Sequence, residues 1–560
     1  MKTSSLFYSL VGLSYFFAII SLYYQFPGLA GSDGLLPVDS FVNSFRKRHP
    51  MTVVDSLWNF HSLLFVAPDL YVTTDALVEF VFCVGLSVSV AISIGCHNSI
   101  LFAIVWICFR TIRDACQTFT SFQWDILLLE SGFLCILSTP LLSFRTGNYT
   151  SRIFNWCFRF LAFKLMLQAG VVKLQSQCPT WEGLSALEYH FATQCLPTYI
   201  GWYAHQLPPF LLRLSVAVTL IIEVPATVLL IFPLVRVRRI GCILQWLLQF
   251  VIFITGNYNY FNILTAVLMI KVWESDDVTI APAGNTLINS NISTSITKTS
   301  ENNLNGFFAL FLDSLFSRLT IFFRVVDSRG PFSAIKFFCQ NCEISSTFRL
   351  LEIMATVLFL AASSVYFISF VDDSRFEWWR GDWFRWKLPW KELQGHLSCW
   401  VIVCVSAVIL FILSEWSHAF RVIQYQHSYQ HQRATYGWYR CLITSLRAVR
   451  LFAVGIVAMS WIWLASLTFS TVCDVSPLYV VQLPQHWVDQ ASQVAAVSSY
   501  GLFRRMTGVG NLNAKQQQKQ NLEIKRRWNS TYEPSLVARP EIVIEGLDAK
   551  TKKWVEIEFR

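Results

Sequence analysis

The sequence predicts an all-α polytopic transmembrane helical bundle followed by a β-rich C-terminal domain. Three observations carry that expectation. Of 560 residues, 54% are hydrophobic and only 14% charged, with a mean hydropathy of +0.45, whereas soluble domains are about one-quarter charged. The apolar residues gather in runs such as Leu211 to Val235 and Val449 to Ser470, close to the ~20 residues a helix needs to cross a hydrocarbon core. Near the end, EIVIEG (541–546) and KWVEIEFR (553–560) alternate with period two, the pattern of a hairpin in a water-exposed β-domain.

Element by element, apolar runs fall at 6–26, 78–95, 99–113, 125–143, 153–172, 211–235, 240–256, 261–273, 349–370, 399–416 and 449–470. The first is longer than a signal-peptide core and lacks a small-residue cleavage site, so it reads as an uncleaved signal anchor. The runs at 99–113 and 261–273 are short enough for half-helices or re-entrant segments, which survive only inside other protein. The span count therefore ranges from about five to about eleven. Residues 275–305 are rich in Ser, Thr and Asn and form a polar linker. The expected organisation is a first multi-span region over 1–274, with a lumenal loop at 173–210, then that linker, a second membrane region over 306–470, and a C-terminal domain over 471–560. The last is interrupted by a polar insertion at 511–538.

The net charge of +9 is spread over short Lys/Arg clusters between apolar runs. That pattern signals membrane topology and gives no nucleic-acid footprint; the surrounding partner is the lipid bilayer. Arg236, Arg238 and Arg239, and the series Arg421, Arg433, Arg440, Arg447 and Arg450, put their loops in the cytosol. One more crossing then places everything after Thr471 in the lumen, and an odd span count makes the N-terminus cytosolic. Arg46, Lys47 and Arg48 break that rule by falling on the lumenal side.

Ionisable groups inside apolar runs are functional candidates by default, and here they include Asp125, Glu130, Lys164 and Glu223. Asp125 and Glu130 are five apart and share no helix face, whereas Lys164 and Gln168 are four apart and do. The plainer reading is that these groups satisfy one another across the bundle; the sharper one is an embedded enzyme or transporter with a polar cavity. His427 and His431 lie in a basic stretch without a third ligand, so no metal site is expected, and no phosphate loop or nucleophile elbow calls for a cofactor.

Cys339 and Cys342 read as unpaired structural thiols. Cys178 and Cys195 bracket a lumenal loop, where a bridge would persist; spacing alone leaves bridge and free thiols both open, and the expectation carried forward is a disulfide. Of the sequons at Asn148, Asn291 and Asn529, only Asn529 reaches the lumen on this topology.

Several long segments make the pattern specific: SLYYQFPGLAGSDGLLPV (21–38), RDACQTFTSFQWDILLLESGFL (113–134), KLMLQAGVVKLQSQCPTWEGLSALEYHFATQCLPT (164–198), ITGNYNYFNILT (254–265) and SYGLFRRMTGVG (499–510). With them the chain resembles the lipase maturation factor family. The resemblance implies an endoplasmic-reticulum membrane protein with a cytosolic N-terminus and a large lumenal C-terminal domain. It also implies a non-enzymatic role, without cofactor, in folding and assembling secreted homodimeric lipases such as lipoprotein lipase; it says nothing of oligomeric state. Against the family pattern, 511–538 is an insertion and the sequence stops at Arg560, so the β-rich domain reads as truncated. Trp378, Trp379 and Trp383 are candidates for client contact, although an interfacial Trp belt is the commoner use and the favoured reading, and Phe503, Arg504 and Arg505 are further candidates for client contact.

Overall fold

The computed structural model describes residues 3–48, 62–141, 148–176, 178–194, 196–274, 390–431, 437–471, 496–501, 545–547 and 554–556. Its first half is built from α1 (Thr3–Leu29), α2 (Val38–Arg48), α3 (Thr74–Ser93), α4 (Ser99–Ala115), α5 (Gln123–Ser138) and α6 (Asn148–Gln175). Three short helices follow, α7 (Pro179–Glu182), α8 (Ala186–His190) and α9 (Tyr199–His205), and then α10 (Pro209–Glu223), α11 (Val235–Thr255) and α12 (Phe261–Trp273). Beyond them come α13 (Trp390–His431) and α14 (Gly437–Leu467). Ten of the eleven apolar runs coincide with these helices; 349–370, the linker 275–305 and the insertion 511–538 lie outside the described residues.

Local chemistry sets the boundaries. Thr73 caps α3 by accepting from the Ala76 amide, and Asn98 caps α4 by accepting from the Leu101 amide at 2.9 Å, satisfying donors that have no helical partner. The run 211–235 is one span by composition but not one α-helix. Pro225 lacks an amide and ends α10, and the path continues as a 3-10 turn, Pro225–Ile231. Gln245 on α11 donates to the Ile222 carbonyl at 3.1 Å beside this break.

Antiparallel neighbours make the bundle. On α11 and α12, Trp246 donates to Ala266 O, Asn262 to Gln249, and Arg238 to Val272 O, so the partners run in opposite order. The start of α1 meets the end of α3 through Ser9 and His97, and the start of α4 meets the end of α5 through Ser99 and Ile136 O. Ser4 at the start of α1 donates to Glu274 just beyond α12 at 2.6 Å. These two points therefore share one face of the bundle. At the opposite face the starts of α5 and α12 meet through Asp125 and Tyr260.

α6 is the central element, buried nearly all round from Ile153 to Leu174, and it packs on α5, α10, α12, α13 and α14. A helix that buries its whole circumference belongs at a bundle's centre. Gly170 permits the close approach: a Cβ there would lie 2.6 Å from Val224 Cγ2 and 2.8 Å from Glu223 Cβ. Six of the described helical stretches are long and apolar enough to cross a bilayer: Ser4–Leu29, Thr74–Ser93, Pro209–Ile231, Val235–Thr255, Trp400–Ser417 and Ser445–Ser470. The chain is a multi-pass membrane protein.

The expected β-rich C-terminal domain is not supported. Among the described residues the only strands are β1 (Glu545–Leu547) and β2 (Trp554–Glu556), one antiparallel pair with Gly546 opposite Val555. The period-two pattern dictates local pairing and nothing more. A domain needs further strands or a helix to cover one face, because an isolated two-stranded ribbon is marginal. The fold class is corrected to all-α, with this ribbon as its only described β structure.

Candidate functional site

Three buried polar clusters run through the bundle. At the face carrying Ser4, Lys271 donates to Ser4 at 2.7 Å, to Asn155 at 3.2 Å and to Glu274 at 3.2 Å. Arg159 on α6 donates to the Glu274 carbonyl at 3.1 Å, and Arg238 to the carbonyls of Phe232 and Pro233. Both guanidiniums lie over the Trp156 ring, at 4.6 Å and 5.9 Å from its centre. Arg238 was expected in a loop; it sits fully buried in the first turn of α11, saturated by carbonyls.

At the opposite face, Asp125 accepts from Tyr260 OH at 2.8 Å, while its second oxygen has no hydrogen-bond partner among the described residues. Nearby, Lys173 pairs with Glu223 and lies 5.4 Å from the Trp181 ring centre. The loop over this end is closed by His190, which hydrogen bonds with and stacks on Tyr258, and by Arg213, which pairs with Glu188 at 2.7 Å. Burial, aided by the Lys173 charge, pushes the His190 imidazole down to about 4. Arg46, one of the cations at odds with the charge rule, pairs with Asp69 at 2.8 Å.

The third cluster lies at mid-bundle. Glu130, halfway along α5, forms a fully buried ion pair with Lys164 on α6. Against it lies the non-helical segment Ala496–Gly501, from beyond α14. Tyr500 OH donates to Glu130, and Lys164 donates to the Ser498 carbonyl at 3.0 Å. Gln168 accepts from the Tyr500 amide at 2.8 Å and donates to Thr468 at 3.1 Å. Trp461 on α14 donates to the Ala496 carbonyl at 2.8 Å, and Lys164 Nζ sits 5.2 Å from the Tyr500 ring centre. Backbone without helical hydrogen bonds needs other partners when it is packed inside protein, and here side chains supply them.

The structure thus brings Glu130 and Lys164 together and keeps Asp125 and Glu223 in separate pairs. Cys178 is buried, its Sγ 3.2 Å from Thr180 Oγ1, and it bridges to no described cysteine. Cys195, Cys339, Cys342, Trp378, Trp379, Trp383, Phe503, Arg504, Arg505 and Asn529 lie outside the described residues. Sequence reasoning passed over Lys173, Arg159, Lys271, Trp461 and Tyr500. Arg159 and Lys271 stand inside the apolar runs 153–172 and 261–273, so the same rule finds them. Tyr500 carries no such signal, because its partners are hundreds of positions away.

The sequence around these clusters matches a known family. The family model for the lipase maturation factor transmembrane domain matches residues 2–280. Across its whole length the chain is 31% identical to "Lipase maturation factor 2" of Xenopus laevis, over 574 residues and 67% of that relative. The chain belongs to the lipase maturation factor family. Other family members match over about half the chain: "Lipase maturation factor 2" of Gallus gallus at 38% over 281 residues, 49% of this chain and 39% of that protein, and "Lipase maturation factor 1" of Bos taurus at 30% over 272 residues, 48% and 47%. No solved structure matches. The family's matched domain, 2–280, contains Asp125, Glu130, Lys164 and Glu223, whereas Tyr500 falls within the full-length match alone.

Proposed function

We propose that the protein is an endoplasmic-reticulum membrane factor that supports folding and assembly of secreted homodimeric lipases of the lipoprotein lipase type. The full-length similarity to a protein named lipase maturation factor carries the reading. The buried charges accord with a non-enzymatic role: Glu130, Lys164 and Glu223 are each engaged by an opposite charge, the arrangement expected of groups that satisfy one another across a bundle.

We orient the face with Arg236, Arg238, Arg239 and Lys271 to the cytosol by the positive-inside rule. The N-terminus then lies in the cytosol, and the 178–205 loop and the chain beyond Thr471 in the lumen, where Cys178 and Cys195 would form their bridge. Client contact is assigned to Trp378, Trp379, Trp383 and Phe503, Arg504 and Arg505, residues of the type that dominate protein contacts.

The test is genetic. Cells lacking their own copy are expected to secrete lipoprotein lipase antigen with low specific activity, and re-expression of this chain restores it. Equal specific activity with and without the chain would overturn the reading.

A further inference from the structure

The buried Glu130–Lys164 pair has a ligand already in place. Among the described residues, hydrogen bonds with the helices engage the main chain of Ala496–Gly501 at three residues: Trp461 to Ala496 O, Lys164 to Ser498 O, and Tyr500 N–H to Gln168. Only one reads a side chain, the Tyr500 hydroxyl donated to Glu130. Val497 and Tyr500 are buried, whereas Ser499 is exposed and Ser498 partly so. A site with this division of contacts is insensitive to most side chains, because carbonyls and amides are common to all residues. It selects for a backbone free of helical hydrogen bonds and for one phenol. An ion pair at mid-bundle is otherwise hard to justify, since two charges removed from water seldom repay their desolvation alone.

We propose that Glu130, Lys164, Gln168 and Trp461 form a peptide-reading site for a non-helical segment bearing a buried tyrosine, occupied in cis by Ala496–Gly501. Lys164 and Gln168, one helical turn apart on α6, read the backbone at alternate residues. Glu130 sets specificity by accepting from the phenol, and Lys164 holds that carboxylate in place. Through this site the chain after α14 is held to the centre of the domain that precedes residue 280. The inference stands on the geometry alone and does not rest on the lipase reading.

The test places a reporter in the segment. Val497→Cys in the full-length protein is alkylated in native membranes with a membrane-permeant maleimide, and modification is read site by site by mass spectrometry. Cys157, buried on α6, is the internal reference. Position 497 is expected to be protected, to label at least tenfold faster with Tyr500→Phe or Gln168→Leu while Cys157 stays protected, and to remain protected with Ser498→Ala or Ser499→Ala. Three results would overturn the proposal: unchanged protection with Tyr500→Phe, release by the serine substitutions as large as by Tyr500→Phe, or Cys157 opening together with position 497 in both Tyr500→Phe and Gln168→Leu, which would show packing and no separable ligand.

Discussion

Lys164 shows how much one buried charge depends on its partner. With Lys164→Met, Glu130 keeps Tyr500 but loses its counter-charge in a fully buried site, and removing one member of such a pair costs about 3–5 kcal/mol. Adding Glu130→Gln removes the orphaned charge, so the double variant is expected to recover much of the loss. Thermal unfolding of the detergent-solubilised single and double variants checks this, and equal losses would contradict it. His190 makes a different demand. Burial and Lys173 hold its imidazole down at about 4 in the folded loop, against ~6.5 when unfolded. The unfolded state therefore binds more protons between those values, so the loop's full stability is present above pH 6.5 and is lost as pH falls toward 4. The unfolding midpoint is expected to drop across that window, and His190→Gln to flatten the drop.

At the scale of elements, the packing of α6 on the break after α10 is held by contact geometry with little tolerance. Gly170→Ala would place its Cβ 2.6 Å from Val224 Cγ2 and 3.0 Å from the Glu223 carbonyl. Because backbone lies at the contact, relief needs a helix shift, and overpacking of this kind costs about 1–3 kcal/mol. A midpoint unchanged from the native chain would refute that tightness. Helices of this bundle were legible because apolar runs of membrane length have few alternatives. The break at Pro225 was legible in principle, since proline stops an α-helix wherever it falls inside a run, yet composition alone joined 211–235. The C-terminal expectation failed for a related reason. Alternation in EIVIEG and KWVEIEFR dictates pairing between neighbours, but a domain depends on strands that cover them, and period two says nothing of those. Pairings between distant elements, Tyr500 with Glu130 above all, left no periodic trace.

For the whole molecule, the shared face of Ser4, Asn155, Arg238, Lys271 and Glu274 fixes which sequons can be modified together. α6 begins at Asn148 and brings Asn155 and Arg159 into that cluster two and three turns later. The sequon at 148–150 therefore enters the bundle from the side that holds the buried arginines, whichever compartment that is. Under the orientation proposed above, this side is cytosolic and beyond the reach of glycosyl transfer, while Asn529 follows the last described long helix and is lumenal. A glycan is expected at Asn529 and at neither Asn148 nor Asn291. Asn→Gln substitution at each site, followed by the mobility shift on glycosidase treatment, reads this out. Because Ser4 and Glu274 lie on one face, the outcome at Asn148 also reports on the N-terminus. A glycan at Asn148 would invert the first domain as a unit, placing its buried cationic cluster and the start of α1 in the lumen. The cytosolic N-terminus would then fail together with the positive-inside argument that supports it.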